Sequence, residues 1–155
     1  MHARDSGSGG PLYRLYQRRL RARLDSAELP THVAMIIDGN RRWARLRDLE
    51  SAAHGHRAGA EKVREFLVWC DDLGIRRATL YLLSADNLGG RTTDELDALF
   101  DIIGDLADEL SRFRDWRIQH VGSSAGLPEP LRLLLAAAQD RTAGNTGLHV
   151  NLAVG

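Results

Sequence analysis

The chain has 155 residues, of which 43% are hydrophobic, and its 21 basic and 21 acidic residues give a net charge of zero. These values fit one globular domain and argue against a nucleic-acid-binding protein, which usually carries a basic excess. No apolar run approaches the roughly 18 residues of a membrane span, and the single cysteine, Cys70, excludes an internal disulfide. Cys70 has helical spacing with Val63 and Leu67, which predicts a packed core thiol in a cytoplasmic protein.

The first residues divide into a leader and a helix. Residues 1–10 are rich in Gly and Ser and are predicted to form a flexible leader. Residues 11–28 have leucines at helical spacing with arginines around them, which predicts a basic amphipathic helix. Such a helix could make peripheral contact with anionic membrane lipids, or it could pack on the protein body through its leucines. The sequence does not choose between these two interpretations.

From residue 29 to 155, short apolar runs alternate with helical periods. The spacing predicts strands over 33–37, 78–83, 117–121 and 148–154, and helices near 57–73, 93–112 and 128–141. This alternation predicts one α/β domain with an open, mainly parallel sheet and helices on both faces. Thr92 and Glu95 have the spacing of a helix-capping pair. No helix follows the last strand, so we expect that a partner shields it or that these residues are the N-terminal part of a longer domain.

A polar turn follows the first predicted strand. Its sequence is Asp38-Gly39-Asn40-Arg41-Arg42-Trp43. Open α/β sheets bind ligands at the carboxyl ends of their strands. There the Asp38 carboxylate could hold a hard cation, the Gly39 backbone could approach a phosphate, and the arginines could pair with it. Asn40 is suited to cap the next helix, whose positive end favours an anion. Taken alone, an Asp-Gly pair is also an ordinary turn.

Two further polar groups adjoin predicted elements. His54-Gly55-His56 precedes the second helix, without Cys, Asp or Glu at a typical zinc spacing, so zinc is disfavoured. A histidine at a helix start could donate a hydrogen bond to a phosphate, or it could be an exposed loop residue. Ser84-Ala85-Asp86-Asn87-Leu88 follows the second strand and could converge with the first turn, or form a plain turn before a helix.

Together these groups resemble the cis-prenyltransferases, the undecaprenyl diphosphate synthase family. The shared motifs are Asp38-Gly39-Asn40-x-Arg42-Trp43, Gly55-His56-x-x-Gly59, Tyr81-x-x-Ser84-x-Asp86-Asn87, and Gly144-Asn145-Thr146-Gly147 before Asn151. The resemblance extends from about residue 29 to residue 155. Four motifs in this order are far more specific than any one of them.

The resemblance implies a Mg²⁺-dependent condensation of isopentenyl diphosphate with an allylic diphosphate. Asp38 would be catalytic and coordinate the metal, and Asn87 has the position assigned to proton acceptance. The implied substrate-binding residues are Gly39, Asn40, Arg41, Arg42, Trp43, His56, Ser84, Ala85, Asp86, Leu88 and Arg91. A homodimer is also implied, although much of the family's dimer interface belongs to a later segment that has no counterpart in these residues.

The departures from the family pattern affect substrate contacts. An arginine expected before Gly55-His56 is replaced by Ala52, and the third motif has Ala85, Asp86 and Leu88 in place of Ser, Glu and Trp. The family pattern has an arginine shortly after the third motif, and Arg91 matches it only if one extra residue is allowed between them. Leu82 and Leu88 would narrow the apolar tunnel, which favours a short product of the cis-farnesyl type made by some actinobacterial members. Both leucines could equally be ordinary core residues.

The largest departure is the absence of an Arg-x-Ser-Gly-Glu type motif, which in the family binds isopentenyl diphosphate. We therefore expect this chain alone to be inactive or nearly so. One alternative is a non-catalytic subunit that binds an allylic diphosphate or pairs with a separate catalytic chain. Another is a metal-dependent phosphate-ester hydrolase, in which Asp38 would activate water, although no second carboxylate lies near it in the sequence.

Overall fold

The computed structural model describes residues 10–24, 28–48, 52–84 and 92–155. The chain divides after Pro30 into two units. The first unit contains helix α1 (Pro11–Arg21), which is shorter than the predicted helix over 11–28. Tight turn hydrogen bonds, such as Arg23 N–H to the Leu20 carbonyl (3.1 Å), close the last turn of α1. Apart from Gly10, the predicted leader lies outside the described residues.

The second unit is a parallel α/β fold. Its elements are β1 (His32–Ile36), α2 (Asn40–Leu46), α3 (Ala52–Asp72), β2 (Arg77–Leu83), α4 (Thr93–Ser111), β3 (Arg117–Val121), α5 (Glu129–Arg141) and β4 (His149–Val154). The strands form one sheet in the order β1-β2-β4-β3, and every neighbouring pair is parallel. The predicted α/β class is confirmed. Among the described residues, no helix is long and apolar enough to cross a membrane.

One face of the sheet carries the hydrophobic core. Strand residues such as Leu80 and Leu152 form a single buried cluster with side chains of α3, α4 and α5. Trp116 is fully buried in this cluster, and its Nε1 donates a hydrogen bond to Asp71 (2.9 Å). Cys70 belongs to the same cluster, as predicted. Burial raises the pKa of the Cys70 thiol, and the neighbouring charge of Asp71 adds to this increase.

The opposite face of the sheet is polar near the amino ends of the strands and apolar near their carboxyl ends, where Ile36, Tyr81 and Val121 are exposed. Thr79 Oγ1 accepts a hydrogen bond from Asn151 Nδ2 (3.0 Å) and lies 2.8 Å from His32 Nε2. On the same face, His149 Nε2 of β4 lies 2.9 Å from Gln119 Oε1 of β3. The sequence predicts helices on both faces, whereas the long helices described in this unit share the core cluster on the first face.

β4 is a central strand although it is the last in sequence. It lies between β2 and β3, and its alternate side chains are buried. β1 and β3 are the edge strands of the sheet, and at β3 side chains from the end of α5 take the place of a neighbouring strand. Thr142 Oγ1 accepts from the N–H of Ile118 (2.9 Å), and Gln139 Oε1 accepts from the N–H of His120 (3.3 Å). This edge is therefore protected by a helix.

Candidate functional site

The turn after β1 is built around Gly39. Its φ of 90° lies in the left-handed region that favours glycine, and it is the N-cap of α2. Asp38 Oδ1 accepts a hydrogen bond from Gly39 N–H (2.6 Å), while the Asp38 side chain stays 81% exposed. The prediction that Asn40 caps the helix is wrong, because Gly39 occupies that position and Asn40 is the first helical residue. The Asn40 side chain is then available for contacts with α3.

α3 approaches this turn closely at two glycines. A Cβ at Gly55 would lie 2.2 Å from the Asn40 carbonyl oxygen, and one at Gly59 would lie 2.7 Å from Asn40 Oδ1. The glycines thus bring His56 beside Asn40, with 3.4 Å between Asn40 Nδ2 and His56 Nδ1. The predicted helix starts near residue 57, but α3 starts at Ala52, so His56 lies one turn inside it. His56 is only 6% exposed.

A carboxylate from α4 joins these residues. Glu95 Oε1 lies 3.4 Å from Arg41 Nε and 3.7 Å from His56 Nε2. The predicted helix cap is present, since Thr92 Oγ1 accepts a hydrogen bond from Glu95 N–H (3.3 Å). That capping pattern is the only sequence signal for Glu95, and it gives no indication of the contacts with α2 and α3. We call Asn40, Arg41, His56 and Glu95 the mouth cluster.

An apolar cleft opens beside the mouth cluster. Its cavity volume is about 40 Å³, and Asn40 and His56 are its polar lining residues. The apolar walls come from β2, α3 and α4 and from the residue that follows β1, with Ile37, Ala60, Val63, Leu82, Leu99, Ile102, Ile103 and Leu106 as lining residues. A cleft with cationic groups at its mouth and a hydrocarbon interior suits a molecule with an anionic head and an apolar tail.

The other predicted site residues have varied positions. Arg42 Nη2 lies 3.7 Å from Asp38 Oδ2, and Ser84 directly follows β2, the strand next to β1. Trp43 is exposed, with the Arg47 guanidinium 5.3 Å from its ring centre, and it does not line the cleft. The predicted residues that lie outside the described part of the chain are Ala85, Asp86, Asn87, Leu88 and Arg91.

Asp38 is the residue predicted to bind magnesium. Mg²⁺ in phosphate-binding enzymes is commonly held by one or two carboxylates together with water and substrate phosphates. One exposed carboxylate beside two arginines fits that mode of binding. Within the described ranges, no three His, Cys, Asp or Glu side chains come together as a metal site made by protein alone. A metal at Asp38 would therefore share its coordination with ligand oxygens.

Similarity to known proteins agrees with this geometry. Residues 36–155 match the prenyltransferase family described as "Putative undecaprenyl diphosphate synthase". The chain is 48% identical over 145 residues to a (2Z,6E)-farnesyl diphosphate synthase of Thermobifida fusca, covering 94% of this chain and 56% of that protein. It is 46% identical over 144 residues to isoprenyl transferase 1 of Corynebacterium diphtheriae, covering 92% and 54% of the two proteins.

The fold is similar to that of a solved prenyl diphosphate synthase. The crystal structure of lavandulyl diphosphate synthase from Lavandula x intermedia, in complex with dimethylallyl diphosphate, matches with a TM-score of 0.75 and 32% identity, covering 81% of this chain and 54% of that one. The chain spans about half the length of these relatives. By its family match over most of its length and its parallel fold, the chain belongs to the undecaprenyl diphosphate synthase family of prenyltransferases.

Proposed function

We propose that this protein functions in cis-prenyl transfer, the condensation of isopentenyl diphosphate with an allylic diphosphate to give a Z-prenyl diphosphate. The observation that carries the proposal is the cleft, whose polar end contains Asn40 and His56 and whose interior is hydrocarbon. An allylic diphosphate has a matching anionic head and apolar tail. The similarity to a (2Z,6E)-farnesyl diphosphate synthase supports the same reaction class.

In this proposal the turn after β1 binds the allylic diphosphate. Breaking the allylic C–O bond leaves negative charge on the departing diphosphate, and nearby cations and N–H groups stabilise such charge. Gly39, Asn40, Arg41, Arg42 and His56 supply these groups, and Trp43 belongs to the same site. Asp38 would hold Mg²⁺, which when bound neutralises charge on the diphosphate oxygens.

The segment after β2 completes the site in this proposal. Ser84, Ala85, Asp86, Leu88 and Arg91 contact substrate, and Asn87 has the position of the proton acceptor. An amide is a weak base, so Asn87 would act on a proton only as part of a hydrogen-bonded arrangement.

Asp38→Ala tests where the diphosphate binds. We expect calorimetry with dimethylallyl diphosphate to show Mg²⁺-dependent binding that Asp38→Ala weakens by at least about tenfold, since a single carboxylate on Mg²⁺ contributes charge and geometry to the bound diphosphate. Asp101→Ala, which removes an exposed carboxylate on α4, is the matched control and should bind like the unchanged protein. Equal affinity of the two variants would contradict a metal-dependent site at Asp38.

A short product is supported by the size of the cleft. Leu82 lines it together with branched residues of α4, such as Ile102 and Ile103. Bulky side chains leave little length for a growing hydrocarbon chain, and Leu88 would add to this restriction. We propose a product of the cis-farnesyl class, and calorimetry tests this, since Leu82→Ala should bind allylic diphosphates longer than dimethylallyl diphosphate more tightly than the unchanged protein does.

Two alternatives make different predictions. A non-catalytic subunit would bind dimethylallyl diphosphate through the same mouth cluster or pair with a separate catalytic chain, and Asp38→Ala would leave the turnover of that catalytic chain unchanged. A metal-dependent hydrolase would release inorganic phosphate from the diphosphate alone. It is less well supported, since no second carboxylate accompanies Asp38 in a metal-binding group among the described residues.

We also propose that the protein is cytoplasmic and makes peripheral contact with the membrane through α1. The last turn of α1 carries Arg18, Arg19 and Arg21, and Leu12 and Leu15 are exposed. Arginine next to exposed leucine suits binding to anionic lipid surfaces. Sedimentation with phosphatidylglycerol vesicles, but not with phosphatidylcholine vesicles, is expected; no sedimentation with either would favour the interpretation of α1 as a packing helix.

A further inference from the structure

Glu95 is an acidic residue in a place where electrostatics alone would disfavour one. It lies at the mouth of a cleft proposed to bind a diphosphate, and a carboxylate repels such an anion. Its side chain is nevertheless only 14% exposed. A carboxylate that has lost most of its water must be compensated by donors or cations. Arg41 and His56, at 3.4 Å and 3.7 Å from Oε1, provide that compensation.

The contacts of His56 are consistent with one tautomer. If Asn40 Nδ2 donates to His56 Nδ1 across 3.4 Å, the ring proton is on Nε2, which faces Glu95 Oε1. A carboxylate opposite one ring nitrogen fixes both the tautomer and the orientation of an imidazole. Glu95 and Asn40 thus hold His56 from opposite sides.

The contact with Arg41 restrains a mobile side chain. Arg41 is 59% exposed, and its Nε lies 3.4 Å from Glu95 Oε1. The guanidinium is planar and carries five N–H donors, so fixing one of them also fixes the directions in which the others can donate to an anion. Restraining an arginine before its ligand arrives lowers the entropy that is lost on binding.

We propose that Glu95 is a positioning residue for the diphosphate site, which orients Arg41 of α2 and His56 of α3 from the start of α4. This inference rests on the proposed function, because it names the residue that arranges that same site. It also predicts whether substitution of Glu95 weakens or strengthens diphosphate binding. Loss of positioning weakens diphosphate binding, whereas simple removal of a negative charge would strengthen it.

Two substitutions separate these effects. With dimethylallyl diphosphate and Mg²⁺ as the probe, we expect Glu95→Ala to bind at least about tenfold more weakly, a loss of about 1.4 kcal/mol or more. Glu95→Gln, which keeps an acceptor oxygen, should fall between this variant and the unchanged protein. Asp97→Asn removes an exposed charge from the same helix and should leave affinity unchanged or slightly higher. Equal or tighter binding by Glu95→Ala would overturn the proposal.

The ring nitrogens of His56 give a second readout that does not need a ligand. In ¹⁵N-labelled protein we expect one tautomer, with the proton on Nε2, and a mixture of tautomers in Glu95→Ala. An unchanged His56 spectrum would also overturn the proposal. Should the unchanged protein fail to bind dimethylallyl diphosphate, the proposed function fails, while the spectra still decide whether Glu95 orients His56. Circular dichroism checks folding, and Glu95→Leu, which removes the acceptor but keeps most of the side-chain volume, carries the spectral test if Glu95→Ala unfolds.

Discussion

Asn40 depends on two glycines of α3 for its position. Gly55 faces its carbonyl oxygen and Gly59 faces its side-chain amide, each too closely for a Cβ. The two contacts differ in what would have to move. A methyl group at Gly59 would displace only the short Asn40 side chain, whereas one at Gly55 would displace the backbone at the start of α2.

Alanine substitutions at these glycines should therefore separate binding from stability. For Gly59→Ala we expect an unfolding free energy within about 1 kcal/mol of the original, because the gain in helix propensity offsets the displaced side chain, together with a clear loss of diphosphate affinity. Gly55→Ala should lose about 1–3 kcal/mol of stability. Gly144→Ala, with nothing within 4 Å of its Cβ, is the control. Urea unfolding and calorimetry measure both quantities; unimpaired binding by Gly59→Ala would refute the role of this contact.

Single residues also mark the limit of what the sequence predicts about the site. Asp38, Arg42 and Ser84 follow predicted strands, so the strand pattern alone predicts that they lie at one edge of the sheet. In the structure they follow β1 and β2, which are neighbouring parallel strands. Glu95 reaches the site through the packing of α4 against α3, which no local pattern encodes. The prediction that Asn40 caps α2 is wrong because Gly39, with its positive φ, occupies the N-cap position.

At the scale of elements, an ion network joins α4 and α5. Asp108 accepts hydrogen bonds from Arg112 Nη2 (2.9 Å) and from Arg141 Nη1 (3.0 Å), and Arg141 also donates to Ser111 Oγ. The hydrogen bond from Arg112 is the main reason that the pKa of Asp108 is below its usual range, Arg141 adds to it, and burial opposes it. A carboxyl group with a lowered pKa in the folded state stabilises the protein only while it is ionised.

Asp108→Asn should therefore lower stability in a pH-dependent way. The contribution of Asp108 is fully present above its unfolded pKa of about 3.9 and is lost as the pH falls through its lower folded value. We expect the melting temperatures of the original protein and Asp108→Asn to differ more at pH 7 than at pH 2.5. Asp101→Asn, also exposed on α4, should show no such convergence. A difference that stays constant across this pH range would contradict the assignment.

The elements themselves follow from sequence more reliably than their ends do. Apolar runs and helical periods locate all four strands and the three long helices. The start of α3 is placed too late in the sequence, because Gly55 and His56 resemble a loop until their packing against α2 is known. The end of α1 is placed too late as well, since leucine spacing continues beyond Arg21 while the hydrogen bonds change to turns.

At the scale of the whole molecule, strand order is the feature that sequence did not reveal. The order of the strands along the chain does not determine their order in the sheet. β4 is the last strand in sequence, yet it lies between β2 and β3. This arrangement leaves β1 and β2 adjacent, which brings the turn after β1 and Ser84 to the same edge. The described residues thereby place the mouth cluster beside the apolar cleft.

The mouth cluster is proposed to bind one diphosphate, whereas prenyl transfer joins two diphosphate substrates. We therefore expect this chain to bind dimethylallyl diphosphate but to condense it with isopentenyl diphosphate at least about a thousandfold more slowly than the Thermobifida fusca synthase does, because the mouth cluster is proposed to position the first substrate alone. Incorporation of radiolabelled isopentenyl diphosphate into prenyl products measures this rate, with the Thermobifida fusca synthase as positive control. Turnover by this chain approaching that of the control would show that the mouth cluster and the segment after β2 suffice for both substrates.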